Sequence, residues 1–459
     1  MRLRLFLMAT GVALAATSAM AADAKDAAQA TLTGQAAYGD WRTDAPGVTR
    51  KITPADLDLP MATPSKVAFP TVTAKPADAH PVAPAGFAVA ALAHLDGARQ
   101  IRVAPNGDLF VSQTTPGKIA VIRPGASASD PVQVMTFAEG LDRPFGIAFY
   151  PRVHPKWVYV ANTDSVVRFP YQAGDAKAQG PAEVVIAKLV PKKQGHSTRD
   201  IVFSADERRM FISVGSGSNI AEQVEPKTAQ EIAAFAATAP LGADWGLEAG
   251  RADVLSADPT GKDLKIFATG IRNCVSMAVQ PGSNALWCVT NERDLLGDNL
   301  PPDYATTVKP GAFYGWPWYY IGAHEDPRPH LKGVRPDLAD KVTTPDVLLQ
   351  PHSAPLGVTF YTARTGAAVF PAAYQGQAFV ALHGSWNRSK RTGYKIVRLV
   401  MKDGRPTGEY QDFVTGFVAD DNSVWGRPVG VAVAQDGAVV FSDDASNTIW
   451  RVSPSEAKR

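Results

Sequence analysis

Apolar and polar residues alternate with a period of two along most of the chain, and short turns rich in Asp, Asn and Gly interrupt the alternation. Arg102-Val103-Ala104-Pro105-Asn106-Gly107-Asp108-Leu109-Phe110-Val111 is one such unit of strand, turn and strand. Gly146 to Pro151 leading to Trp157 to Val160 is a second, and Asp200 to Asp206 leading to Met210 to Val214 is a third. Val275 to Val279, a Pro281-Gly282 turn and Ala285 to Val289 make a fourth. Gly376 to Leu382 marks another less sharply. Gly430 to Phe441, turning at Asp436-Gly437, closes the series, and Thr448 to Val452 follows as a last strand. Copies spaced roughly 45–70 residues apart, with insertions between them, predict an all-β fold, a β-propeller of about six blades. The period alone leaves seven or eight open. A few helical turns are expected around Thr228 to Ala237, and no long amphipathic helix pattern competes.

The N-terminus reads differently. Met1, Arg2 and Arg4 precede an apolar run from Leu5 to Ala16, and Ala19-Met20-Ala21 supplies a small-x-small cleavage pattern. Residues 1–21 are therefore expected to be a signal peptide, which places the mature protein in the periplasm. No later stretch is long and apolar enough for a membrane span. Residues 22–85, rich in Ala, Pro, Thr and Asp, predict an extended arm or linker, and residues 86–459 the propeller domain. The formal net charge is +2 with no basic cluster, so a nucleic-acid partner is not expected.

Two cysteines stand at Cys274 and Cys288, with no Cys-x-x-Cys-His, which excludes a covalently attached c-type haem. They flank the turn Gln280-Pro281-Gly282-Ser283-Asn284 between two strand-like runs, where hairpin neighbours come within bridging range. A disulfide is expected, worth roughly 3 kcal/mol for so short a loop.

Candidate chemistry sits in the loops that lead into or out of the strands. Gly195-His196-Ser197-Thr198-Arg199-Asp200 offers an imidazole, the usual general base near neutral pH, although a lone loop histidine is more often structural. Thr269-Gly270-Ile271-Arg272-Asn273 offers a guanidinium able to hold a carboxylate or an oxyanion. The acidic loop Asn291 to Asn299, followed by Tyr314-Gly315-Trp316-Pro317, suits a hard cation such as calcium, without EF-hand spacing. Gly384-Ser385-Trp386-Asn387-Arg388-Ser389-Lys390 and Gly426-Arg427-Pro428 add cations on separate blades, as a pocket for an anionic cofactor needs, and His352-Ser353-Ala354-Pro355 adds a polar loop. Gly215-Ser216-Gly217-Ser218-Asn219 lacks the third glycine and the helix of a dinucleotide site. No Gly-x-Ser-x-Gly elbow and no Walker loop occurs.

Taken in order, Arg143 to Phe149, Gly195-His196-Ser197, Gly270 to Asn273, Asn291 to Asp294, Tyr314 to Pro317, Gly384 to Ser389 and Gly426 to Pro428 resemble the soluble glucose dehydrogenase and L-sorbosone dehydrogenase family over residues 86–455. The resemblance implies a six-bladed propeller that binds pyrroloquinoline quinone (PQQ) and calcium. It also implies a sugar or sugar aldehyde as substrate. By position it makes His196 the catalytic base, and Arg272 and Asn273 contacts of the quinone. Arg388, Lys390 and Arg427 match positions that hold the cofactor's carboxylates, and the carbonyls of Arg293 and Asp294 those that ligate calcium. Electrons then pass to an external acceptor, a quinone or cytochrome. One departure concerns the base. An aspartate that orients it in glucose-oxidising members is replaced by Ser216, which favours the sorbosone-type branch. Two readings compete: a calcium-dependent propeller lactonase or other hydrolase, and a propeller binding module without catalysis.

Overall fold

Four-stranded antiparallel sheets repeat six times around a channel in the computed structural model, which describes residues 30–125 and 131–455. The expected signal peptide lies outside the described residues. The innermost strands, in chain order, are Ala98–Val103, Ile147–Tyr150, Ile201–Phe203, Cys274–Val279, Pro355–Phe360 and Pro428–Val433, and they number blades I to VI. Five of the six second strands, Leu109–Gln113, Met210–Val214, Leu286–Thr290, Ala378–Leu382 and Val439–Asp443, are buried along their whole length, because each is covered by neighbouring blades on both faces. All six repeats read in the sequence are blades, and the ring has six. The expected helical turns form one helix, Ala229–Ala236, with Thr228 and Glu231 in a reciprocal capping box.

Blade VI is completed from the other end of the chain. Phe87–His94 pairs with Thr448–Pro454 as its outermost strand. The channel is filled where the inner strands begin. Phe145, Val275, Leu356 and Val429 pack together there. One residue further along, Gln100 and Ser276 both bond the Asp200 carboxylate, at 3.4 and 3.0 Å, and Arg102 reaches it at 2.8 Å. Blades approach so closely at this level that a Cβ on Gly146 would stand 2.7 Å from the Cα of Asp200.

The segment before Phe87 has few regular elements, as expected of an arm. Its strand Thr49–Lys51 adds a fifth strand to blade V. Arg50 from that strand is fully buried and bonds Asp412 at 2.8 Å and Asp44 at 2.9 Å. Lys395 meets the same two carboxylates at 2.8 and 2.7 Å. Two cations and two anions thus neutralise one another beneath the arm.

Cys274 and Cys288 are joined in a disulfide with their Cα atoms 5.8 Å apart. They are not direct cross-strand partners: Cys274 faces Thr290, Cys288 faces Met277, and a bulge beside Cys274 brings the sulfurs together. No helix among the described residues is long and apolar enough to cross a membrane.

Candidate active site

Because every inner strand runs the same way, the loops that precede these strands open at one mouth of the channel. Those loops carry His196 before blade III, Arg272 and Asn273 before blade IV, and Arg427 before blade VI. A long insertion between the second and third strands of blade III, residues 215–252, opens at the same mouth.

Ser216 starts that insertion and settles the orientation of the imidazole. Its hydroxyl donates to the Ser218 carbonyl at 2.6 Å, so it accepts from Nδ1 of His196, 2.9 Å away. The Ser216 carbonyl lies 3.3 Å from the same nitrogen. Both partners require the proton on Nδ1, which leaves the Nε2 lone pair free, and no hydrogen bond to Nε2 is formed among the described residues. Burial, Arg272, Arg251 and Arg199 hold the imidazole well below its ordinary pKa, with only the Ser216 carbonyl working the other way. At neutral pH the ring is uncharged and ready to accept a proton.

Arg272 is nearly buried and rigidly held. Nε and Nη2 donate to the Asn219 carbonyl, Nη2 also to Asn219 Oδ1 at 2.6 Å, and Nη1 to the Asn291 carbonyl at 3.0 Å. These four bonds leave one N–H of Nη1 uncommitted. Its nearest carboxylate is Asp294, at 3.7 Å, and its charge lies 5.5 Å from the Trp316 ring centroid. The Ser216 N–H donates to the Arg272 carbonyl at 2.7 Å, tying base and cation through one residue. The buried Oδ1 of Asn273 has no partner among the described residues. A Cβ at Gly215 would stand 2.4 Å from that oxygen and 2.6 Å from His196 Cβ, so only glycine leaves this space.

A second group at the mouth surrounds Asp444. Arg99 bonds it at 2.5 Å, Arg427 at 3.0 Å, and His383 reaches both carboxylate oxygens at 3.0 and 3.2 Å. Burial works against ionisation of Asp444, but His383, Arg99 and Arg427 overcome it and hold the carboxyl far below its usual range. Arg99 also lies 5.9 Å from the Phe145 ring in the channel.

The other expected residues lie in loops between second and third strands at the same end, with side chains committed to other partners. Arg388 donates to the carbonyls of Tyr38 and Gly39 and to Asn299, so its guanidinium is engaged with the arm. Lys390 is exposed and paired with Asp421 at 2.9 Å, beside Arg42 of the arm. Neither bonds the His196–Arg272 group.

Arg293 and Asp294 lie in a corner crowded with buried charges. The buried Arg293 side chain bonds Glu292 at 3.1 Å and Asp326 at 2.8 Å, and Arg328 bonds Asp326 at 2.5 Å. The carbonyl oxygen of Asp294, expected to ligate calcium, instead accepts from Nη2 of Arg328 at 2.5 Å. Arg272, Arg293 and Arg328 stand against Glu292, Asp294 and Asp326, and the buried Asp303, whose carboxyl is pushed up to about 7 by burial and by its neighbours Asp294 and Glu292, adds a fourth acid to the group. With Arg328 on that carbonyl a divalent cation would have to share the oxygen or displace the guanidinium, although Glu292 Oε1 lacks a partner among the described residues.

Asn219, Arg251, Glu248, Arg99, His383 and Asp444 complete the mouth without having been singled out. Asn219 closes the glycine-rich stretch noted in the sequence, and His383 directly precedes the Gly384 motif. Glu248 caps the loop by accepting from Gly217 N–H, Ser218 and Trp316.

Fold and site together define a six-bladed propeller whose polar machinery gathers at one end of the channel. The TrAA12-like family pattern matches residues 81–301 and 337–455, and the chain belongs to that family. An uncharacterized protein of Borreliella burgdorferi is 28% identical over 335 residues, 70% of this chain and 78% of that one. The pyrroloquinoline quinone-dependent pyranose dehydrogenase of Coprinopsis cinerea is 29% identical over 190 residues, 35% of this chain but only 23% of that protein. The holo structure of the Coprinopsis cinerea pyranose dehydrogenase PQQ domain shares the fold, with a TM-score of 0.65 and 19% identity, covering 84% of this chain and all of that one.

Proposed function

We propose that this protein is a PQQ-dependent dehydrogenase of the periplasm that oxidises a sugar or a sugar aldehyde of the sorbosone type and passes the electrons to an external quinone or cytochrome. The observation that carries the reading is the imidazole of His196, held as the Nδ1–H tautomer by Ser216 with Nε2 open, beside a buried guanidinium. Membership of the TrAA12-like family and the PQQ dependence of the Coprinopsis cinerea relative support the same chemistry.

The residues at the mouth suit an acidic quinone. Arg272 keeps one N–H uncommitted and Arg99 and Arg427 share one carboxylate between two guanidinium groups, while the Asn273 amide oxygen, without a partner among the described residues, can accept from an N–H of the cofactor. These four residues would hold the cofactor. When bound, PQQ supplies the hydride acceptor. His196 takes the proton of the substrate hydroxyl, or of an aldehyde hydrate, at Nε2. The surrounding arginines disfavour the resulting imidazolium, so the proton is readily given up. Arg272 provides a fixed positive charge beside the base without having to reorganise.

A hydrolase that uses a metal-activated water needs clustered ligand side chains, and among the described residues no group of three or more His, Cys, Asp or Glu side chains is arranged to hold an ion. The test is reconstitution with PQQ, followed by dye reduction on a panel of aldoses and sugar aldehydes. Turnover is expected with the wild type, and His196→Ala is expected to keep the quinone absorbance after desalting while losing turnover. Normal turnover in that variant removes His196 from the role of base.

A further inference from the structure

Arg251 closes the neck of the blade III insertion, two residues before the strand Asp253–Ala257. It is buried and pairs with no carboxylate within salt-bridge distance among the described residues. Its donors go to the backbone of two loops instead. Nε bonds the Gly215 carbonyl at 2.8 Å, Nη1 the Lys192 carbonyl at 3.1 Å, and Nη2 the carbonyls of His196 at 2.8 Å and Ser216 at 2.9 Å. Arg199 donates to the same His196 carbonyl at 2.8 Å. One planar fork thus spans the loop that carries the imidazole and the loop that carries its serine partner.

We infer that Arg251 is the positioning residue of this site: it fixes the His196 loop against Gly215–Ser216, so that the Nδ1–H bond to Ser216 persists and Nε2 stays open to substrate. The inference rests on the reading of His196 as the base. Lysine cannot replace the fork, since an ammonium is a point charge with no planar pair of donors. The groups facing His196 are Ser216 and Arg251 from the insertion, Arg199 from its own loop and Arg272 from blade IV. Asp164, Glu248 and Asp253 act on Arg251 from further off. Removing Arg251 therefore both loosens the imidazole and subtracts one of three cations around it.

The experiment compares wild type, Arg251→Lys and Arg251→Ala, with thermal melting to show that each is folded. In the PQQ-loaded enzyme, Arg251→Ala is expected to lower kcat about 100-fold, with the quinone retained and KM little changed, as for a misplaced base. Added guanidinium ion is expected to restore part of the loss. In the cofactor-free protein, the His196 ring is followed by histidine NMR, assigned with His196→Gln. Arg251→Ala is expected to raise its titration point and to mix its tautomers. Arg251→Lys is expected to keep the titration point near that of the wild type and yet to lower kcat about tenfold. An unchanged His196 titration and tautomer in Arg251→Ala overturns the inference. A wild type that binds no PQQ refutes the proposed activity, and the NMR comparison still decides the role of Arg251. Where Arg251→Ala does not fold, Arg251→Lys decides it through the tautomer signal and kcat.

Discussion

Ser216 meets His196 through its hydroxyl and Arg272 through its backbone N–H, so a single residue sets the imidazole against the guanidinium. Serine thus supplies the orienting contact without the negative charge an aspartate brings. Because His196 sits below its ordinary pKa, it is already neutral well under pH 6.5, and the acid limb of kcat/KM is expected below that value. Ser216→Asp adds a carboxylate beside the ring, favours the imidazolium, and is expected to move the acid limb upward. Ser216→Ala is expected to lower kcat about tenfold without moving quinone binding, since one of two Nδ1 acceptors remains. A pH–rate profile of the three forms checks both statements.

The cations at the mouth and those under the arm make opposite predictions. Arg427 shares Asp444 with Arg99, whereas Lys390 pairs with Asp421 on the exposed side of its loop. Arg427→Ala is expected to weaken PQQ binding by about 10- to 100-fold, the worth of a charged hydrogen bond. Lys390→Ala is expected to leave it within about threefold. Fluorescence titration with PQQ measures both, and equal losses would contradict the placement of the pocket.

Calcium offers a third test. Arg328 already sets a positive charge on the Asp294 carbonyl, the oxygen a calcium ion was expected to take. Protein treated with a chelator is expected to bind PQQ as tightly as protein supplied with calcium, and metal analysis of the holoenzyme is expected to find far less than one calcium per chain. A calcium requirement for quinone binding would mean that Arg328 yields the carbonyl.

The ion group beneath the arm predicts a large stability effect. Arg50→Ala leaves Asp412 and Asp44 facing Lys395 alone in a buried setting. Loss of one partner from such a group costs about 3–5 kcal/mol, and denaturant unfolding is expected to show a loss of that order. Arg42→Ala, on a pair exposed to solvent, is expected to leave the transition unchanged.

Blades I, IV and VI were legible because their first hairpins turn at Asn106-Gly107, Pro281-Gly282 and Asp436-Gly437 between alternating strands, and blades II and III because two apolar runs stand close together, across residues 151–156 and 204–209. Blade V was the faintest for the same reason: its inner strand Pro355–Phe360 reaches the next strand through residues 361–377, with no tight turn to announce it. His196, Arg272 and Asn273 could be read because each sits in a short motif at the entrance to a strand. Arg251 and Asn219 could not, since both act through backbone carbonyls across an insertion that has no period. Arg388 misled in the opposite way. A basic residue in a polar loop looks the same whether it awaits a cofactor or the carbonyl of Tyr38, which lies 350 positions away.

The pairing of Phe87–His94 with Thr448–Pro454 also orders events in time. Two strands far apart in the chain must meet before the sixth sheet is complete, so until that meeting the circle stands open, and the mouth that gathers His196, Arg272 and Arg427 takes its final shape only at this late closure.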